Sequence, residues 1–223
     1  MLQDFHTHTS LSDGVLSPME MVRRAVAAGY STIALTDHAS TGDMQRILAE
    51  LIEVCSLARR FLKILAIPGI ELTHLPAAAI PAAARKAREL GAWIVVVHGE
   101  TIVEPVEEGT NLAAIGSPDV DILAHPGLIS PEEVALAAEK GKFLEITSRH
   151  GHSLTNGHVA RLARSAGTRL VLDSDAHSER DLHDEVFARA VLEGAGLDAG
   201  ERDNVLQANA ERLVKQLLSR QKV

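Results

Sequence analysis

The sequence predicts an α/β protein of one domain, in which seven strand–helix repeats close, or nearly close, into a barrel. Three observations predict it. Short β-branched apolar runs alternate with longer amphipathic segments along nearly the whole chain, which is the grammar of a parallel sheet covered by helices. Gly29, Gly91, Gly141 and Gly167 each end a helical pattern just ahead of a strand. A histidine or carboxylate also stands at the C-terminal end of strand after strand: His6, Asp37, Glu71, His98, His125, Glu145 and Asp175. In a barrel those ends converge on one mouth, whereas along an open doubly wound sheet only those near the switch point would meet.

In chain order, strands are expected over residues 3–6, 32–36, 64–71, 93–98, 122–125, 143–147 and 169–173. Helices are expected over 19–28, 43–61, 80–90, 131–140, 157–166 and 184–192, where apolar positions recur at helical spacing. Ser17 ahead of Pro18 places a capping hydroxyl before a proline at the first helical position. Ser130-Pro131-Glu132-Glu133 repeats this with Glu133 at the capping-box position. Residues 201–220 read as a terminal helix on the outside of the barrel, so the C-terminal helices span 182–220. No linker divides the chain, and residues 1–223 read as a single domain. Neither common Gly-rich phosphate loop occurs, which argues against a nucleotide cofactor.

Composition sets outer bounds. An apolar fraction of 46% with 23% charged residues is that of an ordinary globular protein, and 223 residues can bury a core without staples. The single cysteine, Cys55, lies in the apolar-periodic segment 47–62 and reads as a buried structural thiol. Asp4 and His6 interrupt any apolar run at the N-terminus, so neither signal peptide nor membrane span is expected, and a cytoplasmic location is. A formal charge of −8 and 3% aromatic residues disfavour nucleic acid as a partner. Oligomeric state is left open.

The strand ends carry the chemistry. His6 and His8 are two apart in an extended segment and share a face, so both can chelate one ion. Asp37-His38 leaves a buried strand. Glu71 ends an apolar run in which a charge is costly unless compensated. His98 and His125 end two further strands, and Asp175-Ala176-His177 mirrors the first motif. Each group alone is equally consistent with a hydrogen-bonded core residue. A clustered metal site explains all of them at once.

The ordered motifs HTHT with a following SDG, TDH, GIE, VVVHG, ILAHPG, LEI and SDAH resemble the PHP (polymerase and histidinol phosphatase) superfamily, stand-alone phosphoesterase type, over residues 4–178. The resemblance implies a distorted (β/α)7 TIM-like barrel with two to three divalent ions (Zn, Mn or Fe) at its mouth. It implies that His6, His8, Glu71 and Asp175 hold one ion. Glu71, His98 and His125 hold a second, with Glu71 bridging, and Asp13, His38 and His177 a third. Asp13 departs from members with histidine at that position, and an anionic oxygen ligand changes metal preference there. Asp37 reads as a residue that orients an imidazole or caps the chain, and Glu145 as a brace.

Such a site is expected to hydrolyse a small phosphomonoester with metal-activated hydroxide, histidinol phosphate being the substrate that the resemblance suggests. Asp13, His38 and His177 would assist the leaving alkoxide. Arg149, which follows the sixth strand, reads as a phosphate clamp, with Arg180 and His152 as further substrate-binding candidates. His150 is a pocket candidate, and His74, His158 and His183 read as non-ligands. A PHP-type nuclease or nucleotide phosphoesterase is the enzymatic alternative. A non-catalytic scaffold barrel is the other, and its signature would be lost ligands.

Overall fold

A computed structural model describes residues 2–221; residues 1, 222 and 223 of the expected domain lie outside them. The strands are β1 (Leu2–Asp4), β2 (Tyr30–Leu35), β3 (His38–Ala39), β4 (Leu65–Leu72), β5 (Ile94–His98), β6 (Ile122–Ala124), β7 (Phe143–Thr147) and β8 (Arg169–Asp173). They pair in the order β1-β2-β4-β5-β6-β7-β8, and every ladder is parallel. β3, absent from the sequence reading, extends the line of β2 along β4, with His38 opposite Glu71. The seven expected strand positions are therefore all present.

The helices are α1 (Pro18–Ala27), α2 (Met44–Phe61), α3 (Ile80–Glu89), α4 (Thr110–Gly116), α5 (Pro131–Lys140), α6 (Asn156–Ala166), α7 (Glu185–Gly194), α8 (Ala199–Asp203) and α9 (Ala210–Ser219). The Ser17 side chain accepts the Glu20 N–H, and Ser130 with Glu133 forms a full capping box. Gly141 and Gly167 take φ of 67° and 72°, left-handed values that end α5 and α6 and that side chains with a Cβ resist. α4 escaped the sequence reading because its seven residues hold too few apolar positions for a periodic signal. Cys55 is buried on α2, and burial pushes its thiol up to about 12, which leaves it unreactive.

Strand alternation sorts side chains between two cores. Ile94 and Val96 point into the barrel with Phe5, Ile67, Phe143 and Val171. Val95 and Val97 face the helical layer, in one cluster with Leu48 and Leu51 of α2 and with Leu144 of β7. Gly69 leaves room inside, since a Cβ there would lie 2.3 Å from the Ile94 methyl. The same period carries the inward face upward from Ile67 to Glu71, from Val96 to His98 and from Phe143 to Glu145. The lumen is apolar below and ionisable at the mouth.

The seam between β8 and β1 is closed largely by side chains. Beyond one bridge from Thr7 to Ala176, Asp173 accepts the Phe5 N–H at 2.7 Å and Asp4 accepts the Ser174 N–H at 3.2 Å. Burial pushes the Asp4 carboxyl up to about 6, and burial with neighbouring Asp4 and Glu145 pushes Asp173 well above the carboxylate range.

The terminal helix corrects one expectation. α9 does not pack on the outside: Ala210, Leu213 and Leu217 join the lumen cluster, while Arg220 and Gln216 reach Asp121 just below β6. Asn209 donates to the Leu170 carbonyl at the foot of β8. The helix therefore stops the base of the barrel, where an apolar lumen would otherwise meet water. A π-helical turn, Asn204–Asn209, joins it to α8.

Candidate metal centre

The mouth is assembled from the ends of the inward-facing strands and the loops behind them. His6, His8 and Asp13 come from the segment after β1, His38 from β3, Glu71 from β4 and His98 from β5. His125 follows β6, while Asp175 and His177 follow β8. A cavity of about 510 Å³ opens over them.

Two buried carboxylates organise the floor. Glu71 Oε1 lies 3.4 Å from His6 Nε2 and 3.6 Å from His125 Nε2; Glu71 Oε2 lies 3.7 Å from His8 Nε2 and 2.6 Å from His38 Nδ1. Asp175 Oδ1 lies 3.1 Å from His8 Nε2 and 3.9 Å from His6 Nε2. Toward solvent, Asp13 meets His177 Nε2 at 3.1 Å and His38 Nε2 at 3.6 Å. The ligand atoms of His6, His8 and Asp175 lie within 4.8 Å of one another, and so do those of His6, Glu71 and His125, and of His8, Asp13, His38 and His177.

These residues fit divalent ions. His6 Nε2, both ring nitrogens of His8 and of His125, Glu71 Oε1 and Asp175 Oδ1 are buried without a hydrogen-bond partner. Each such atom costs about 1–3 kcal/mol unless something meets it. Imidazole nitrogen and carboxylate oxygen suit zinc, manganese or iron. Backbone strain points to the same place. The non-glycine residues with positive φ among those described are His74, His125 and Asp175, and all three line this cavity.

Surrounding groups fix the imidazoles. Glu145 accepts from His6 Nδ1 at 2.8 Å, which turns the Nε2 lone pair toward the centre, and the Asp175 carbonyl does the same for His177 at 2.9 Å. Asp37 accepts the N–H and hydroxyl of both Thr9 and Ser12, so it ties down the loop that carries Asp13, and among the described residues it forms no hydrogen bond or ion pair with an imidazole.

Protonation divides the site. Burial opposes the charge on His6, His38 and His125, yet Glu71 and its neighbours raise all three, so an ion binding there would displace their protons. Glu71, Asp13, His8, His98 and His152 are already deprotonated. Burial opposes the charge on Glu71, yet His6 and His38 hold its carboxyl well below the usual range. Burial opposes it on Asp13 as well, and His177 and His38 hold that carboxyl down. Burial pushes the His8, His98 and His152 imidazoles down to about 4, which leaves their lone pairs free at neutral pH.

The substrate-binding expectations divide. Arg149, His150 and His152 line the cavity. Arg180 does not; it lines a separate hollow with Arg24, Glu179 and His183, because the chain turns away after His177. His158 bonds the Ile129 carbonyl. Two residues that the sequence reading passed over or set aside do face the centre: Glu104, on the loop between β5 and α4, and His74, whose Nε2 lies 3.8 Å from it. Glu104 lies in a loop and His74 two residues past β4, outside the apolar runs that marked the others.

His183, expected above to bind no metal, has a measurable role in stability. It is buried with Nε2 2.6 Å from Ser148 Oγ, and burial pushes its imidazole down from 6.5 to about 4. The unfolded chain then binds the extra proton between those values, so this contribution to stability is complete above pH 6.5 and is lost as pH falls toward 4. Between pH 7 and 5 the metal-free protein should lose about 2 kcal/mol more than its His183→Gln variant. Urea unfolding at both values measures it, and parallel losses would refute it.

A parallel barrel whose C-terminal mouth gathers imidazole and carboxylate groups with unmatched lone pairs is the architecture of a metal-dependent hydrolase. The chain belongs to the PHP domain family, which matches residues 4–220. It is 49% identical over 219 residues to an uncharacterized protein of Methanocaldococcus jannaschii, covering 96% of this chain and 99% of that one. A protein of Caldanaerobacter subterraneus named a probable phosphatase is 31% identical, with 79% of this chain and 76% of that one aligned. Ribonuclease P protein component 3 of Methanosarcina mazei is 28% identical, with 95% and 88% aligned. The crystal structure of a candidate histidinol phosphatase from Listeria monocytogenes superposes with a TM-score of 0.62 at 13% identity, covering 83% of this chain and 98% of that one; that likeness is one of fold.

Proposed function

We propose that this PHP-type metal-dependent phosphoesterase hydrolyses a small phosphomonoester, in the manner of a histidinol phosphatase. The observation that carries the reading is the set of orphaned ligand atoms beneath a cavity of about 510 Å³ whose rim holds Arg149. The cavity suits a compact substrate, and the formal charge of −8 disfavours a long polyanion. A cytoplasmic location belongs to the same reading; among the described residues no helix is long and apolar enough to cross a membrane.

His6, His8, Glu71 and Asp175 would hold one ion, Glu71, His98 and His125 a second, and Asp13, His38 and His177 a third. Bound divalent ions supply hydroxide near neutral pH and neutralise phosphoryl charge. Arg149 receives two phosphoryl oxygens through its planar fork. Asp13, His38 and His177 stand on the solvent side, where the departing alkoxide would be stabilised by the ion they hold or, with that position empty, would take a proton from His38 or His177. No side chain is needed as a nucleophile. Single turnover in labelled water should place one label in the released phosphate, and a trapped phospho-protein would sink the direct-attack reading.

The decisive test is a phosphate-release screen with manganese, zinc and iron separately, against phosphomonoesters, nucleotides and short DNA. Release from small monoesters alone supports the proposal, and preference for DNA or nucleotides replaces it with the nuclease reading. Failure on every substrate by metal-loaded protein would favour a scaffold. Arg149→Met should lower kcat/KM roughly 10- to 100-fold, as loss of a charged hydrogen bond does. Metal content should stay unchanged, and unaltered kinetics would remove Arg149 from the site.

A further inference from the structure

The loop between β5 and α4 does more than cross the mouth. Its Gly99 carbonyl accepts from His98 Nδ1 at 3.2 Å, and its Thr101 hydroxyl pairs with His152 Nδ1 at 2.7 Å. Both imidazoles are thereby turned so that Nε2 faces away from their anchors. Glu104, from the same loop, stands where those nitrogens point: Oε2 is 3.0 Å from His98 Nε2 and Oε1 is 3.5 Å from His152 Nε2. The ligand atoms of His98, His125 and His152 lie within 4.8 Å of one another.

At such separations an Nε2 lone pair and a carboxylate oxygen repel unless they share a proton or a metal ion. Among the ion pairs of the described residues, Glu71 contacts His6, His8, His38 and His125, whereas His98 contacts only Glu104. The carboxylate that faces His98 is thus the loop's, while Glu71 reaches the same pair of imidazoles through His125.

The loop is built to hold this position. Glu100 Oε1 accepts the Gly109 and Asn111 N–H groups at 3.0 and 2.8 Å, and Asn111 Oδ1 accepts the Glu100 N–H in return. Gly127 lies so close beneath that an added Cβ would fall 1.8 Å from the Glu100 carbonyl oxygen. The base is clamped, and the Glu104 side chain, 39% exposed, projects from it over the centre.

We infer that the second ion, proposed above on Glu71, His98 and His125, also takes Glu104 and His152, so that a loop carboxylate and a histidine from the turn after β7 are metal ligands. The assignment rests on the metal-centre reading and not on the choice of phosphomonoester. Three imidazoles and two carboxylates suit zinc, manganese or iron. Of these side chains Glu104 is the most open to water.

Metal stoichiometry and affinity, measured by elemental analysis and chelator competition on the full chain, test this without an activity assay. Glu104→Gln should lose one equivalent or weaken one site at least 10-fold relative to wild type, and cobalt loaded in place of the native ion should show an altered visible spectrum. His152→Asn should behave alike. Glu107→Gln, an exposed neighbour on the same loop outside the cluster, should match wild type. A Glu104→Gln protein with wild-type stoichiometry, affinity and cobalt spectrum would overturn the assignment of Glu104 alone. Wild-type protein that takes up no metal would overturn the metal centre and this proposal with it.

Discussion

Replacing Glu71 with alanine is expected to strip metal from the centre and to reduce phosphate release by a factor on the order of 10³ or more, since the ions' charge stabilisation is worth several kcal/mol. Glu71 is fully buried, and its oxygens come within 4 Å of His6, His8, His38 and His125. Its N–H bonds both the Thr36 and Asp37 carbonyls at 3.1 Å, so the side chain leaves a backbone with no freedom to drift. Removing it leaves buried imidazoles without the charge that orders them. Glu71→Gln keeps the shape and one acceptor oxygen, so it should bind metal more weakly than wild type and better than alanine. Metal content and turnover should be measured on the same preparations. Wild-type values for both in Glu71→Ala would remove Glu71 from the proposed ligand set.

The second large effect lies at the opposite end of the barrel. Leu213→Ala should destabilise the metal-free protein by about 2–5 kcal/mol, the usual cost of emptying a packed leucine site. Leu213 is fully buried against a lumen lined by Phe5, Ile67 and Phe143, and water would enter from below if α9 lifted. Leu154, 71% exposed near the mouth, is the control, and Leu154→Ala should change stability by no more than about 0.5 kcal/mol. Equilibrium urea unfolding measures both. Equal midpoints and slopes for Leu213→Ala and wild type would mean that α9 merely rests on the barrel. The expected loss of stability is separable from catalysis, because the site and the stopper occupy opposite ends of the strands.

Much of the centre could be read from the chain because strand geometry repeats every two residues. Ile94, Val96 and His98 share one face, so an apolar run that ends in histidine already says that the imidazole caps the lumen. Parallel pairing then puts all such ends at the same side, which is why His6, Glu71, His98, His125 and Asp175 could be grouped before any contact was known. The helix caps at Ser17 and Ser130 were equally local and equally legible.

Other features depended on contacts between distant segments. Arg180 and Arg149 look alike in sequence, yet Arg149 lines the centre and Arg180 a separate hollow, because only tertiary packing directs the chain after β8. Glu104 lies in a loop without periodicity, placed over His98 by the fit of Gly127 beneath Glu100. The Thr101–His152 pair spans 51 residues. The apolar stripe of α9 states that one face is buried but not whether it meets the barrel's side or its base. By itself, then, the sequence determined the barrel, the sense of its mouth and the ionisable ring around it, since these follow from local periodicity. The tertiary structure alone decided which loop carboxylate faces His98, which arginine overlooks the cavity and where the last helix lies, since these depend on how distant segments pack.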